Sequence, residues 1–543
     1  MASILDKERI VADPGFNRWL VPPAALAIHL SIGMAYGFSV FWLPLSRAVG
    51  IDRPVPYPVD MDFLGRIFTT SHDWSISMLG WMYTLFFVFL GGSAAVLGRW
   101  VEKAGPRKAG LLAACCWGGG LLVSALGVYV HQIWLLWLGA GVLGGIGLGL
   151  GYISPVSTLL KWFPDRRGLA TGLAIMGFGG GAMVGAPFAN LLMGIFKSDT
   201  SVGVWQTFLV LGVIYIIAMT LGALGYRVPP TGWSPNAANR SQQAAGSEPQ
   251  QSISVEFGRY VPVTRVHRTP QFWLAWGVLC LNVSAGIGVL GMASPMIQEM
   301  FGGRLIGIET PLDGLTPTQK ERVAAIGAAF AALLSLFNIL GRIAWASFSD
   351  YAGRNATYAI FFLFGACLYA LIPWTGQTKN VVLFVTVCCV ILTMYGGGFA
   401  AIPAYLADLF GPRHISAIHG QLLTAWSVAG ILGPVAVNYM RDWQRARGLP
   451  ASEAYDATMY LLAGALLVGL ACNLLIRPVD SSHFEKIEEP DAQRTVVTAT
   501  SVVPVTLAGN GQNWLVILAW TAVGVPMLWG MWNTLNTARA FFD

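Results

Sequence analysis

The sequence predicts an all-α membrane protein with two pseudo-symmetric six-helix bundles and one extra C-terminal helix. Three observations support this fold class. First, 55% of the 543 residues are hydrophobic and only 11% are charged, whereas about 25% of an ordinary soluble protein is charged. Second, apolar windows of about 20 residues, enough to cross a hydrocarbon layer of ~30 Å, recur along the chain. Third, the two halves of the chain repeat the same motifs at a constant spacing.

The apolar windows predict twelve membrane-spanning helices in two groups of six, followed by a thirteenth. Polar stretches rich in Ser, Gln, Asn and Pro separate the two groups and precede the last window, as expected for flexible connections. The windows are 18–45, 75–97, 107–130, 133–160, 168–196, 203–226, 271–299, 323–349, 356–375, 380–409, 415–440, 455–476 and 513–533. We expect an N-terminal segment (1–17), an N-terminal bundle (18–227), a linker (228–268), a C-terminal bundle (269–477), a polar segment (478–512) and an extra helix with its tail (513–543).

The distribution of charge predicts how the chain is oriented in the membrane. Lys and Arg are more frequent in the segments on the side of the N-terminus, and basic residues accumulate on the cytoplasmic side of membrane proteins. Residues 1–17 are polar and the first apolar run is as long as a full span, so we expect no cleavable signal peptide. The sequence therefore predicts a multi-pass protein of a bacterial-type inner (plasma) membrane, with the N-terminus and the linker in the cytoplasm and lipid around the helices.

Several function classes are not favoured by the sequence. The net charge of +6 reflects basic loops and gives no indication of nucleic-acid binding. All seven cysteines lie inside the apolar windows, with neither disulfide nor zinc spacing, and are interpreted as packing residues. Near either membrane face we find no plausible Ser/His/Asp set, metal-ligand cluster or phosphate loop, so neither an enzyme nor a cofactor is predicted.

The internal repeat is the most informative feature of the chain as a whole. The turn after the second predicted helix repeats after the eighth, with a shift of 248 residues from Glu102 to Asp350 and from Gly105 to Gly353. The same shift relates further pairs, namely Gly98 and Ala346, Pro155 and Pro403, Asp165 and Arg413, Gly172 and Gly420, and Gly185 and Gly433. Parallel six-helix repeats with a binding site at their interface are typical of one transporter architecture.

The two turns resemble the signature loop of the major facilitator superfamily, although Glu102 stands for the usual Asp and Pro106 interrupts the basic run. Within that superfamily, residues 18–477 resemble the oxalate/formate antiporter family, which is related to the monocarboxylate transporters. The resemblance is carried by NRWLVPPAALAIHLSIGMAYGFSVF, KWFPDRRGLATGLAIMGFGGGAMVGAP, NILGRIAWASFSD and GQLLTAWSVAGILGP. It implies the major facilitator fold and a small carboxylate bound through an arginine of the eighth helix, here Arg342.

Arg342 is also the candidate substrate ligand on physical grounds. A charge in the membrane interior costs at least ~2.5–3.5 kcal/mol, so such residues face a bundle interior or a watery cavity. Its guanidinium can hold a carboxylate by two parallel hydrogen bonds. Asn338 lies four residues earlier and so shares its helix face. The alternative is that Arg342 pairs with backbone carbonyls or with a gating acid and never meets substrate.

The sequence departs from the family at the eleventh helix. The resemblance implies a lysine there in oxalate carriers, whereas this chain has Trp426 at the matching position. A dianion would lose its second cation, so we expect a monoanion such as pyruvate, lactate or formate rather than oxalate. Further candidates to line the cavity, on helices that the resemblance places along the path, are Tyr36, Tyr152, Asn282, Tyr395 and Phe399; ordinary core packing is the alternative for each.

Two other groups of residues have expected roles. Glu102 with Arg107, and Asp350 with Gly353 and Arg354, are interpreted as gating latches at the cytoplasmic face. His29, in the middle of the first span, is the candidate for proton coupling, because the unperturbed pKa of histidine is near ~6.5. A satisfied hydrogen bond between helices is the alternative for His29.

The combined expectation is a monomeric secondary active transporter that works by alternating access. Its partners would be a small organic anion and, in proton symport, a proton; anion exchange is the alternative way to balance charge. An oxalate/formate-type antiporter and a membrane sensor that binds a carboxylate without moving it are the competing functions.

Overall fold

The computed structural model describes residues 6–13, 15–51, 55–58, 60–230, 233, 259–450, 453–486 and 513–538. Within them, thirteen helices are long and apolar enough to cross a membrane, which confirms the predicted fold class. We number these helices α1–α13. Most of the predicted linker and of the polar segment before the last helix, including residues 234–258 and 487–512, lies outside the described residues.

The first six spans match the predicted windows in number and order. The first, α1, is composed of Arg18–Leu20, Val21–Ile32, a 3-10 segment Gly33–Phe41, and Trp42–Leu45. The others are α2 (Ile76–Ala104), α3 (Pro106–Tyr129), α4 (Ile133–Trp162, with a π-helical segment Trp137–Gly144), α5 (Arg167–Phe196) and α6 (Val204–Gly225).

The second group and the last helix follow the same pattern. They are α7 (Pro270–Phe301), α8 (Pro317–Ala352), α9 (Arg354–Gln377), α10 (Val381–Phe410), α11 (Ile415–Leu422 and Thr424–Ala446), α12 (Asp456–Leu475) and α13 (Asn513–Ala538). The helix α8 begins earlier than its apolar window because Thr316 and Gln319 form a capping box and Pro317 occupies the first turn. Polar caps of this kind lengthen a helix beyond what hydropathy detects.

The two six-helix groups meet along two seams, α5 against α8 and α2 against α11. Glycine permits the close approach in both. A Cβ on Gly172 would lie 2.7 Å from the carbonyl oxygen of Arg342, and one on Gly420 would lie 2.1 Å from that of Ala94. Small residues let membrane helices associate without a hydrophobic driving force, and here they bring the backbone of Arg342 against the first half.

The thirteenth helix packs across the α5/α8 seam and also contacts α1. Its apolar face joins a cluster that contains residues of both halves, namely Leu26, Met176, Met183, Leu336, Ile339 and Val523. The indole Nε1 of Trp520 donates to the backbone oxygen of Trp19 at 3.1 Å. The extra helix is therefore part of the packed structure rather than a separate anchor.

Chain segments near the linker converge at one end of the bundle, which we call the linker face. There the strand β1 (Arg259–Tyr260) pairs antiparallel with the strand β2 (Glu485–Lys486). The turns after α2 and α8 lie at this same end, since successive spans alternate in direction. The other end of the bundle is called the opposite face.

Candidate functional site

Arg342 of α8 is completely buried. Its Nε donates to Asn338 Oδ1 at 2.8 Å, and its Nη1 donates to the backbone oxygen of Ile175 on α5 at 3.0 Å. Its Nη2 has no hydrogen-bond partner among the described residues. The expected pairing with Asn338 is present, and so is a backbone partner from the opposite half. A buried, unsatisfied donor on a charged group is costly, so Nη2 is the atom that a bound anion would satisfy.

Six aromatic side chains pack around this guanidinium between the halves, and we call this cluster the chamber. The chamber contains Tyr36 of α1, Tyr152 of α4, Phe178 of α5, Tyr395 and Phe399 of α10, and Trp426 of α11. The guanidinium carbon lies 5.6 Å from the ring centroid of Phe178 and 5.7 Å from that of Phe399. Rings at these distances favour a cation and exclude water from it. The structure thus brings five of the sequence-predicted cavity residues together around Arg342.

Two further polar atoms of the chamber have no partner among the described residues. They are the hydroxyl of Tyr152 and the indole Nε1 of Trp426, whose rings lie 5.3 Å apart. The Tyr36 hydroxyl, by contrast, is hydrogen-bonded to that of Tyr395 at 3.2 Å. Indole and guanidinium nitrogens can only donate, and a phenol can donate as well. Three unpaired donors around one apolar chamber suit an acceptor-rich ligand such as a carboxylate.

Phe178 and His419 were missed by the sequence reasoning. The ring of Phe178 lies 5.5 Å from that of Trp426, and the internal repeat contains a signal for it, because Phe178 and Trp426 are themselves 248 residues apart. His419 is buried on α11, with its ring 5.8 Å from that of Tyr152. His419 was not predicted because it lies near the end of a predicted span, and hydropathy does not indicate how far a helix end tilts into the core.

Asn282 of α7 lies in the second half. Its side chain packs against Gly398 of α10, and it borders a small cavity of about 10 Å³ together with Tyr395 and Phe361. Its Oδ1 is buried and has no hydrogen-bond partner among the described residues.

His29 is buried on α1 and its Nδ1 is hydrogen-bonded to the backbone oxygen of Ala174 on α5. This is the interhelical bond that was the structural alternative to a proton-coupling role. The second ring nitrogen, Nε2, has no partner among the described residues, and the ring lies 5.4 Å from that of Tyr152. His29 thus borders the chamber on the side of Tyr152.

At the linker face, Asp350 joins the two halves. Its Oδ1 and Oδ2 accept from the backbone N–H groups of Gly168 and Leu169 at 2.8 and 3.0 Å. Arg354 pairs with Asp350 at 2.6 Å and with Asp408 at 3.1 Å. Asp408 also pairs with Arg167 of α5 at 2.6 Å. This network, which we call the Asp350 latch, closes the α5/α8 seam at the linker face.

A second latch closes the α2/α11 seam. Glu102 pairs with His414 Nδ1 at 2.9 Å and accepts from the backbone N–H of Ala417 at 3.4 Å. Ala417 is the repeat mate of Leu169, and the turn glycines Gly105 and Gly353 share a positive φ of 85° and 86°. The two latches therefore have the same backbone geometry.

Arg107 does not bind the latch carboxylate in the way that its expected counterpart Arg354 does. Its Nη2 donates to the backbone oxygens of Leu224 and Tyr226 at 2.9 and 3.0 Å. Pro106 occupies the position equivalent to Arg354, so the arginine is displaced by one residue and reaches the end of α6. Its described hydrogen bonds therefore stay within the first half.

Residues 24–434 match the family model of the Major Facilitator Superfamily. The chain belongs to the major facilitator superfamily. Among solved structures, the fold is similar to that of the transporter FucP in its outward conformation, with a TM-score of 0.56 and 12% identity over 85% of this chain and 100% of that one.

Two superfamily relatives have informative names. The oxalate:formate antiporter of Oxalobacter formigenes is 25% identical over 81% of this chain and 90% of that protein. The apicoplast pyruvate carrier 1 of Toxoplasma gondii is 26% identical over 56% of this chain and 59% of that protein. Both similarities are to carriers of the kind implied by the sequence resemblance.

Proposed function

We propose that this superfamily member is a secondary transporter that moves a small monocarboxylate by alternating access. The observation that carries the proposal is the unpartnered Nη2 of Arg342, enclosed by aromatic rings at the interface of the halves. A carboxylate would accept from this atom and from the free donors of Tyr152 and Trp426. The similarity to an oxalate:formate antiporter and to a pyruvate carrier supports a carboxylate as the ligand class.

A single negative charge fits the chamber better than two. Trp426, fully buried, fills the place where the resemblance implies the second cation of an oxalate carrier. Its indole offers one neutral donor and a large apolar surface. The second carboxylate of oxalate would be desolvated there without an opposite charge, at a cost of several kcal/mol. A methyl or hydroxyethyl group, as in pyruvate or lactate, would instead be stabilised by contact with the rings.

The transport cycle follows from the latches. In the described state both latches close the linker face, so the chamber is to be filled from the opposite face. On the expected orientation this is an outward-directed or enclosed state. When the halves rock, the hydrogen bonds of Asp350 and Glu102 break and the linker face opens. A carboxylate that bridges Arg342 of one half and Tyr152 of the other stabilises the enclosed state, because a ligand shifts an equilibrium only by binding one state better.

The proposal is tested by counterflow into proteoliposomes that contain the purified full-length protein. Labelled pyruvate, lactate and formate should enter against their unlabelled forms, and oxalate should enter poorly. Arg342→Lys should abolish counterflow, because a lysine offers a point charge without the paired donors of the guanidinium. Arg322→Lys, the same change at an exposed position of α8, is the matched control. Wild-type counterflow in Arg342→Lys would refute the site, and binding without flux in the wild type would favour the sensor.

Charge balance is tested at His29, which we propose as the proton carrier in the symport mode. Its unpartnered Nε2 borders Tyr152 and so lies within reach of a proton that accompanies the substrate. His29→Gln keeps a polar side chain of similar length but cannot be protonated. We expect this variant to retain exchange of labelled for unlabelled substrate and to lose uptake driven by a pH gradient. Unchanged gradient-driven uptake would assign charge balance to anion exchange.

A further inference from the structure

A second cavity, of about 470 Å³, lies at the linker face beside the Glu102 latch. Its lining combines the end of α2, the start of α11, and the segments around β1 and β2. The two latter segments flank the second half in the sequence and are joined by the β1–β2 pairing. We call this space the linker-face cavity. It is separate from the chamber around Arg342, and Glu102 and His414 of the latch form part of its wall.

The basic groups of the linker-face cavity exceed its acidic groups. Arg99 and Lys103 of α2 and Arg413 before α11 line it, and no carboxylate pairs with these three among the described residues. Arg413 lies over the ring of Tyr260 with its guanidinium carbon 4.5 Å from the centroid. This contact holds the guanidinium in place without neutralising it.

Both carboxylates of the lining are already engaged. Glu485 accepts from the Tyr260 hydroxyl at 3.1 Å and pairs with Arg265 at 3.5 Å. Glu102 pairs with His414 in the latch. Within the part of the chain that the structure describes, the three cations therefore have no acidic partner, and a concave wall of like charge attracts anions.

The internal repeat allows the three cations of the cavity to be compared with the corresponding positions at the other seam. The positions that correspond to Arg99, Lys103 and Arg413 at the α5/α8 seam are Ser347, Tyr351 and Asp165. Asp165 is paired with Arg18 at 3.0 Å. The α5/α8 seam ends at the same face and has arginines of its own, Arg167 and Arg354. Both pair with carboxylates in the Asp350 latch, whereas the three cations of the cavity have no acidic partner among the described residues.

We propose that the linker-face cavity binds a phosphate-bearing anion, held by Lys103 and Arg99 of the first half and Arg413 of the second. Several cations around one space suit a dianionic, tetrahedral group that accepts many charge-assisted hydrogen bonds. Because the ligand is held by both halves, it stabilises the state in which the Glu102 latch is closed. The phosphate can belong to a free anion or to the headgroup of an anionic phospholipid. The binding claim is independent of the proposed transport function; only its consequence for transport rests on that function.

The test uses the full-length protein in nanodiscs and two probes. Inorganic phosphate is titrated at constant ionic strength in phosphatidylcholine discs, and phosphatidylglycerol discs are compared with phosphatidylcholine discs without phosphate. The readouts are the thermal unfolding midpoint, which a ligand of the native state raises, and amide exchange at Ala417, whose N–H binds Glu102. The cavity variant is Lys103→Gln with Arg413→Gln. The control is Arg268→Gln with Arg477→Gln, two exposed arginines outside the cavity.

We expect one probe to raise the midpoint and to slow exchange at Ala417 in the wild type and in the control. In the cavity variant the apparent affinity should fall at least about tenfold, the loss that corresponds to one charge-assisted hydrogen bond. Glu485→Gln, which removes a negative charge and keeps an acceptor for Tyr260, should strengthen binding.

A response to phosphate assigns the site to a free anion, and a response to phosphatidylglycerol alone assigns it to a lipid headgroup. An equal response in the wild type and the cavity variant, or no response to either probe, overturns the proposal. Neither result depends on whether labelled carboxylate is transported.

Discussion

The α5/α8 and α2/α11 seams have the same backbone design and different chemistry. In both, a glycine of one helix packs on a carbonyl of the other, Gly172 on Arg342 and Gly420 on Ala94. In both, a carboxylate binds a backbone N–H across the halves. Yet Arg342 at one seam corresponds to Ala94 at the other. The duplicated scaffold therefore has the close glycine packing at both seams, but the arginine proposed to bind substrate at the α5/α8 seam alone.

The difference extends to the aromatic residues that face each other across the chamber. Trp426 of α11 corresponds to Phe178 of α5, and the pair is in contact with ring centroids 5.5 Å apart. The larger member adds a hydrogen-bond donor, the indole N–H, on the side that lacks the cation. A single carboxylate held between Arg342 and Trp426 would thus have a charged donor from one seam and a neutral donor from the other. This asymmetry is the structural reason to expect a monoanion.

The largest effect should come from making the α5/α8 seam resemble its counterpart at one position. Asn338 corresponds to Leu90 of α2, and Asn338→Leu would remove the acceptor of Arg342 Nε. This hydrogen bond orients the guanidinium, and without it part of the binding free energy would be needed to hold Nη2 towards the anion. A hydrogen bond to a charged group contributes about 1.5–3 kcal/mol, so the loss of substrate affinity should be about ten- to hundredfold. Equilibrium binding of labelled pyruvate to the purified protein measures it.

The matched control is Leu90→Met, a volume-conserving change at the corresponding position of the other seam. It should leave substrate affinity within about twofold of the wild type, because such exchanges are well tolerated in a packed core. If both variants lost substrate affinity equally, both seams would contribute equally to binding. The proposed difference between the α5/α8 and α2/α11 seams would then be wrong.

Much of this asymmetry was predictable from the sequence. Hydropathy gave the thirteen spans, the 248-residue shift gave the paired latches, and the spacing of four residues predicted that Asn338 and Arg342 share a face. Hydropathy and spacing do not indicate which helix packs on which, so neither Phe178 in the chamber nor His419 beside Tyr152 was predicted. The partners of Arg107 on α6 and the linker-face cavity were missed for the same reason, since both join segments more than a hundred residues apart.

A smaller effect is expected from weakening the two latches in parallel. Among the contacts described, Asp350 accepts from two backbone N–H groups at 2.8 and 3.0 Å and pairs with the guanidinium of Arg354. Glu102 accepts from the N–H of Ala417 at the longer distance of 3.4 Å and pairs with the imidazole of His414. Asp350→Asn should therefore open its seam more than Glu102→Gln opens the other. Hydrogen–deuterium exchange measured by mass spectrometry should accelerate about tenfold at Leu169 in the first variant and less at Ala417 in the second. Equal acceleration at both amides would mean that the halves separate as rigid bodies, whichever latch is weakened.

The smallest effect concerns the thirteenth helix, which covers the α5/α8 seam. Among the described residues, no such additional helix covers the α2/α11 seam. Trp520→Ala removes the hydrogen bond to Trp19 and part of the contact with the first half. A single hydrogen bond of this kind contributes about 1 kcal/mol. With an unfolding entropy of about 2.1 cal/mol/K per residue, that loss should lower the thermal unfolding midpoint of the 543-residue chain by about 1 °C. Trp514→Ala, at a position with an exposed side chain on the same helix, should leave the midpoint unchanged. Trp520→Ala could instead alter substrate counterflow without lowering the midpoint. In that case the thirteenth helix would act on the movement of the α5/α8 seam and not on the stability of the protein.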